Sequence, residues 1–286
     1  MSTIPGDGAQ IPEPAAASEL EIDGLTIRYV AGGASAGTPL VLLSPWPESI
    51  YAYAPMWPHL SSRFSLTAID LPGFGRSDGR PDLYSPRALG DFLPRIVEAL
   101  GVGSAHAIGP DVGTAALLFT EALHPGVFVS IQVGGGGAAF PLRVKGLLKD
   151  FIDAPSVDAF AGADPAEIVS GAVRSIPGYD APDYVVDDYV ASYAGTRFIE
   201  SIAYVRRYPQ DLEELGSLLS DIRTPVHFLA ARNDPYVPLE DPRSVAAALS
   251  HARVTELDNS HNAWEESPAS YAAAVAAWAL GEYAEA

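Results

Sequence analysis

Residues 104–113 read SAHAIGPDVG, and residues 112–123 continue as VGTAALLFTEAL. The first stretch is an apolar run of the kind that forms a buried strand. The second has the spacing of a helix. Asp111 stands at the joint, with Gly109 two residues before it and Gly113 two after. A strand that turns at once into a helix brings two backbones close together, and small neighbours permit that approach. The helix amino terminus adds a positive dipole that favours an anion at Asp111. Taken alone, such an aspartate reads equally well as the cap of the following helix.

The flanking sequence repeats the same alternation. Upstream, ELEIDGLTIRYVAGG (19–33) gives two short strand-like runs around Asp23-Gly24, a hairpin signal. PLVLLSP (39–45) and SLTAIDLP (65–72) are apolar runs closed by proline. From Ser85 to Leu100 the pattern turns helical: Ser85 can cap, Pro86 suits the first turn, and Leu89, Phe92, Leu93, Ile96, Val97 and Leu100 share a face. Pro94 is expected to bend that helix. Downstream, FVSIQVGGGG (128–137), PVHFLAA (225–231) and RVTELD (253–258) read as strands, and a closing helix is expected over Ser267–Leu280. Such alternation implies a mostly parallel sheet with helices on both faces. The expected organisation is a flexible tail over 1–18, a first core segment over 19–135, an inserted helical cap over 136–215, and a second core segment over 216–286.

Two further groups follow Asp111 in chain order. Asp234 lies in HFLAARNDPYVP (227–238), just after a strand, where an aspartate before proline also serves turns. His261 lies in ELDNSHNAWEESP (256–268), in the loop before the last helix, where it also reads as a surface histidine. A nucleophile, an acid and a histidine on successive strand ends form a recognisable order. His106 and His227 fall within strands and are expected to be packed; His59, His124 and His251 fall on or near helices.

Composition narrows the classes. Hydrophobic residues make up 48% of the 286, enough for a large core. Seventeen Lys and Arg against 36 Asp and Glu give a net charge of −19, which repels nucleic acid and anionic lipid. With no cysteine there are no disulfides and no thiolate chemistry. The start MSTIPGDGAQIPEPAAASEL lacks the basic end and apolar run of a secretory leader, and no stretch is apolar enough to span a bilayer. A cytoplasmic protein acting on a small molecule is expected, without nucleic acid, membrane, cofactor or metal, and with a homodimer left open. The run Gly134–Gly137 lacks the spacing of a nucleotide-binding loop.

PLVLLSPWPESIYAY (39–53), AIDLPGFGRSD (68–78), GPDVG (109–113), NDPYVP (233–238) and SHNAWEESP (260–268) together resemble the α/β-hydrolase superfamily, in its epoxide hydrolase and haloalkane dehalogenase branch. The likeness covers about Glu19 to the carboxy terminus. It implies an α/β-hydrolase fold with Asp111 as nucleophile, His261 as base and Asp234 as its orienting acid. It also implies the amides of Trp46 and Val112 as oxyanion donors, and a cis peptide before Pro47. A carboxylate is ionised at neutral pH and can attack carbon directly, leaving an ester for His261-activated water to cleave.

Three departures stand out. Ser44-Pro45 replaces the family's His-Gly, and Pro45, which lacks an amide hydrogen, is expected to reshape that loop. Val112 follows the nucleophile where the dehalogenases carry a halide-binding Trp. In IAYVRRYP (202–209), Val205 occupies the position of the family's second lid tyrosine and Tyr204 stands one residue earlier, about 100° round a helix. The expected function is epoxide hydrolysis of a bulky, fairly apolar substrate, with Tyr204 as acid and Tyr184 and Tyr189 behind it. Tyr51 and Tyr53 are further pocket candidates. The alternatives are dehalogenation through the same ester, or a hydrolase-like scaffold with a non-hydrolytic or ligand-binding role.

Overall fold

Apolar runs too short for helices pair into one eight-stranded sheet of order β1-β2-β4-β3-β5-β6-β7-β8 in the computed structural model. The structure describes residues 10–12 and 16–285; most of the tail expected over 1–18 lies outside them. The strands are β1 (Ser18–Ile22), β2 (Leu25–Gly33), β3 (Thr38–Leu43), β4 (Phe64–Ile69), β5 (His106–Pro110), β6 (Ser130–Gly134), β7 (Val226–Ala231) and β8 (Ala252–Leu257). The hairpin read at Asp23-Gly24 joins β1 to β2, with Ile22 opposite Leu25. β2 also runs antiparallel to β4, and every pairing from β4 through β8 is parallel.

The helices are α1 (Trp57–Leu60), α2 (Pro86–Ala99), α3 (Val112–Leu123), α4 (Gly146–Asp153), α5 (Pro165–Arg174), α6 (Asp183–Ser192), α7 (Arg197–Arg206), α8 (Tyr208–Leu218), α9 (Glu240–Ala248), α10 (Ala263–Glu266) and α11 (Pro268–Ala279). α2 begins where its sequence says it should: Ser85 Oγ accepts from the Ala88 amide at 3.1 Å. Its apolar face, Leu89, Phe92, Leu93, Ile96 and Val97, is buried.

β5 and β6 are buried at every residue, as strands covered on both faces must be. Helices α4 to α8 are inserted between β6 and β7. Their buried residues Phe198, Ile202, Tyr204 and Leu212 belong to the same apolar cluster as the sheet, so the insert shares the core. Parallel strands deliver all their carboxyl ends to one edge. The loops after β3, β4, β5, β6, β7 and β8 therefore converge beneath the insert. Among the described residues, no helix is long and apolar enough to cross a membrane.

Candidate active site

The joint between β5 and α3 carries Asp111 at φ 50° and ψ −122°, a left-handed conformation that a side chain rarely adopts. Holding it there costs about 1–3 kcal/mol, which the surroundings must supply. The end of β6 does so. The Asp111 amide donates to Gly134 O at 2.8 Å, and the Thr114 hydroxyl both donates to Gly134 O and accepts from the Gly134 amide, each at 3.0 Å. A Cβ on Gly136 would come within 2.0 Å of Asp111 O. The glycine run that carried no nucleotide signature thus lets β6 pass directly under the turn.

Asp111 is 7% exposed. Its Oδ2 accepts from the Trp46 amide at 2.7 Å, and the Val112 amide also donates to the carboxylate. Burial pushes its pKa up, while His261 and these two amides pull it back. Pro45 does not turn the Trp46 amide away, and the Trp46–Pro47 peptide is cis. His261 Nε2 lies 3.8 Å from Asp111 Oδ1, in ionic contact but beyond a hydrogen bond. On the other side, His261 Nδ1 meets Asp234 Oδ2 at 2.9 Å. Asp234 Oδ1 accepts from the amides of Tyr236 and Val237 at 2.7 and 3.0 Å, which fixes the carboxylate. Burial disfavours the imidazolium, but Asp234, with Asp111 and Glu48 adding, together outweigh it, and the pKa of His261 is pushed up to about 9. The three groups read in chain order thus meet at one point, at the ends of β5, β7 and β8.

A pocket opens over Asp111 and His261. Its walls are apolar: Leu148, Phe151, Ile168, Val173, Phe198 and Val205, all from the insert. Its polar members include Glu48, Tyr189, Tyr236 and Asn262. Among the described residues, no group of three or more His, Asp and Glu side chains is placed to hold a metal ion.

The tyrosines expected as acids are mostly elsewhere. Tyr204 does not line the pocket; its hydroxyl donates to Val112 O at 2.6 Å, while Val205, one residue on, faces the cavity. The helical rotation between adjacent residues accounts for the exchange. Tyr184 is 42% exposed and meets Tyr51 edge-on at 6.1 Å. Tyr51 is buried beneath the Arg28 guanidinium, away from the cavity. Tyr53 is buried too, its hydroxyl spent on Leu43 O. Of the tyrosines named in advance, Tyr189 alone lines the pocket, and its hydroxyl donates to Glu265 at 2.8 Å. Glu48, Trp264 and Glu265 were not singled out from sequence, although all three lie inside the motif stretches 39–53 and 260–268.

Comparison with known proteins agrees with this architecture. A family model described as alpha/beta hydrolase fold matches residues 38–128. A haloalkane dehalogenase, DbeA from Bradyrhizobium elkani USDA94, superposes with a TM-score of 0.78 at 21% identity, over 95% of this chain and 99% of that one. The chain has the alpha/beta-hydrolase fold. Within that fold its relatives diverge. A soluble epoxide hydrolase from Corynebacterium sp. (strain C12) is 30% identical over 130 residues, 43% of this chain and 45% of that protein. The alignment therefore spans less than half of that relative's length. A magnesium-chelatase 30 kDa subunit from Rhodobacter capsulatus is 27% identical over 269 residues, 88% of this chain and 90% of that one.

Proposed function

We propose that the protein is a hydrolase that forms a covalent ester on Asp111, and that its substrate is a bulky, apolar epoxide. The observation that carries this reading is a buried carboxylate at the strand-to-helix turn, faced by His261 and by two backbone amides. Asp111 Oδ1, which the Trp46 amide leaves open, attacks the epoxide carbon. Water then adds to the ester carbonyl with His261 as base, and Trp46 and Val112 stabilise the oxyanion that results. Losing one such donor typically costs about 10²–10³-fold in rate. Alkylation removes the charge on Asp111, and with it one of the causes that hold the proton on His261. The imidazole thereby becomes a better base in the intermediate that needs one.

Dehalogenation through the same ester has less support. A departing halide needs N–H donors free to receive it. The Trp46 indole donates to Ser201 Oγ at 2.7 Å, the Trp264 indole donates to Glu48 at 2.9 Å, and the Asn262 amide also meets Glu48. The apolar wall from α4, α5 and α7 supports a hydrophobic substrate body.

Two measurements test the reading. His261→Gln should accumulate an adduct on Asp111, visible by intact-protein mass after exposure to an epoxide. Repeated turnover by the wild type in heavy-oxygen water should label the Asp111 carboxylate. An active wild type with an unlabelled Asp111 rules the mechanism out, and an Asp111→Asn variant with full biological activity points instead to a ligand-binding scaffold.

A further inference from the structure

Beneath the pocket three carboxyls, Asp111, Asp234 and Glu48, act on the His261 imidazole, and a fourth, Glu265, lies against Glu48. Water barely reaches the last two: Glu48 is 4% exposed and Glu265 1%. Four ionised carboxylates and one imidazolium would leave a large uncompensated negative charge in a space that cannot solvate it. At least one more proton has to reside there.

The hydrogen bonds locate it. Glu48 Oε2 accepts from Trp264 Nε1 at 2.9 Å, and Glu48 Oε1 meets the Asn262 side-chain amide. Glu265 Oε1 accepts from the Tyr189 hydroxyl at 2.8 Å. Glu265 Oε2 is buried and meets no N–H or O–H donor among the described residues. The carboxyl within hydrogen-bonding reach of Glu265 is that of Glu48. A buried carboxylate oxygen without a donor is costly, and two ionised carboxylates in contact repel. One proton between them removes both penalties. Burial is the main cause that pushes each upward: Glu48 to about 7, with Asp111 adding, and Glu265 well above the ordinary carboxylate range, with Glu48 adding. The other titratable groups facing the pair are the hydroxyls of Tyr53, Tyr179, Tyr189 and Tyr193, all raised by burial and neutral at working pH.

We infer that Glu48 and Glu265 share one proton, and that Glu48, the member lining the pocket beside Asp111, delivers it to the oxygen that leaves the attacked carbon. The delivery step rests on the covalent reading above; the shared proton does not. As Asp111 Oδ1 bonds to the epoxide carbon, the electrons of the breaking C–O bond pass to the ring oxygen, which takes the proton. The products are a hydroxyalkyl ester on Asp111 and a carboxylate on Glu48, met at once by the Trp264 and Asn262 N–H groups. In the second half, His261, no longer held protonated by the Asp111 charge, first releases its resting proton to solvent. Water then adds to the ester carbonyl and gives a proton to the neutral imidazole, which returns it to the departing alkoxide. The imidazolium reforms from solvent once Asp111 is free. The acid proton then left on Asp111 restores the pair. Glu48 thus fills the position that Tyr204 vacates by donating to Val112 O.

The pair is tested without turnover. The wild type at pH 7 should give an infrared band of a protonated carboxyl that shifts in heavy water and disappears in Glu265→Gln. Absence of the band from the wild type overturns the pair. Delivery is tested in a His261→Gln background by following adduct mass with styrene oxide and with 1-iodohexane, whose leaving group needs no proton. Adding Glu48→Gln should slow ester formation from the epoxide by about 10²–10⁴-fold, and change that from the iodide only a few-fold. Equal slowing of both overturns the acid role, as does selective loss in Tyr189→Phe with Glu48→Gln silent. An Asp111 alkylated by the iodide but by no epoxide overturns delivery alone. An Asp111 alkylated by neither overturns the covalent reading with it, and the infrared band still decides the pair.

Discussion

Asp234 spends one oxygen on two backbone amides and has only the other for His261. Asn at this position keeps an acceptor for those amides but turns an NH₂ toward His261 Nδ1. The imidazole must then carry its proton on Nε2, the wrong tautomer for a base facing Asp111. If Asp111 carries the ester proposed above, Asp234→Asn should slow its cleavage by roughly 10⁴-fold, as tautomer reversal does in a Ser-His-Asp triad, and rapid-quench mass analysis should find the adduct persisting. The same substitution has a stability signature. Asp234 is the largest cause raising His261 from 6.5 to about 9. A base held above its unfolded value stabilises the fold fully below pH 6.5, and that contribution is lost as pH rises through about 9. The gap in unfolding free energy between wild type and Asp234→Asn should narrow between these values in urea titrations, and a constant gap would contradict the assignment. Asp111, Asp234 and His261 were legible in the chain because each follows an apolar run, and parallel strands bring such positions to one edge. Glu48 and Glu265 bore no such mark. Each is one glutamate in a loop or short helix, and only folding makes them neighbours. Tyr204 failed as a pocket residue for a local reason: one step along α7 points it at the backbone of the turn between β5 and α3.

At the scale of elements, Arg28 ties three parts of the chain together. From β2 its Nε reaches Asp70 at the end of β4 at 2.6 Å, and its two terminal nitrogens grip both oxygens of Asp188 on α6 at 2.8 and 2.9 Å. Asp188 also accepts from Ser49 Oγ at 2.7 Å, and Asp70 from the Ile50 amide at 2.8 Å, so the loop carrying Trp46 and Glu48 hangs on the same network. Burial works against the Arg28 charge, but the two carboxylates more than offset it and raise its pKa. Arg28→Met would keep the packing of the stem and strand two buried carboxylates. It should cost about 3–5 kcal/mol, read by urea unfolding, and adding Asp188→Asn should recover part of that loss. No recovery would mean that the arginine acts through packing alone. Strand and helix positions were readable from apolar periodicity and from caps such as Ser85. This network was not, because a single arginine in an amphipathic strand looks like any solvent-facing charge. Which way the inserted helices turn was equally hidden, since their apolar faces do not name the neighbour they cover.

Over the whole molecule, 36 acidic groups face 17 basic ones. Several of the bases are not available to neutralise the surface. Arg28 is buried, Arg197 donates to the carbonyls of Gly75, Ser77 and Ser192, and Arg206 donates to those of Phe151 and Ile152. These three fasten the insert to the site loops and to itself; other arginines pair with outer acids, as Arg80 does with Asp82 and Arg87 with Glu214, and the acids in excess repel one another. That repulsion acts across solvent and is screenable, with a Debye length near 30 Å at about 0.01 M salt and near 10 Å at about 0.1 M. The buried Arg28–Asp188 contact is shielded from salt by its 5% and 1% exposure. Raising sodium chloride from about 0.01 M to about 0.5 M should therefore stabilise the fold by roughly 1 kcal/mol, a rise in Tm of about 2–4 °C for a chain somewhat under this size. The increment should be the same in Arg28→Met, since screening acts on the surface and not on the buried network. A Tm that falls with salt would mean that exposed ion pairs, rather than excess negative charge, dominate the surface electrostatics, and would remove the case that this composition trades stability for repulsion.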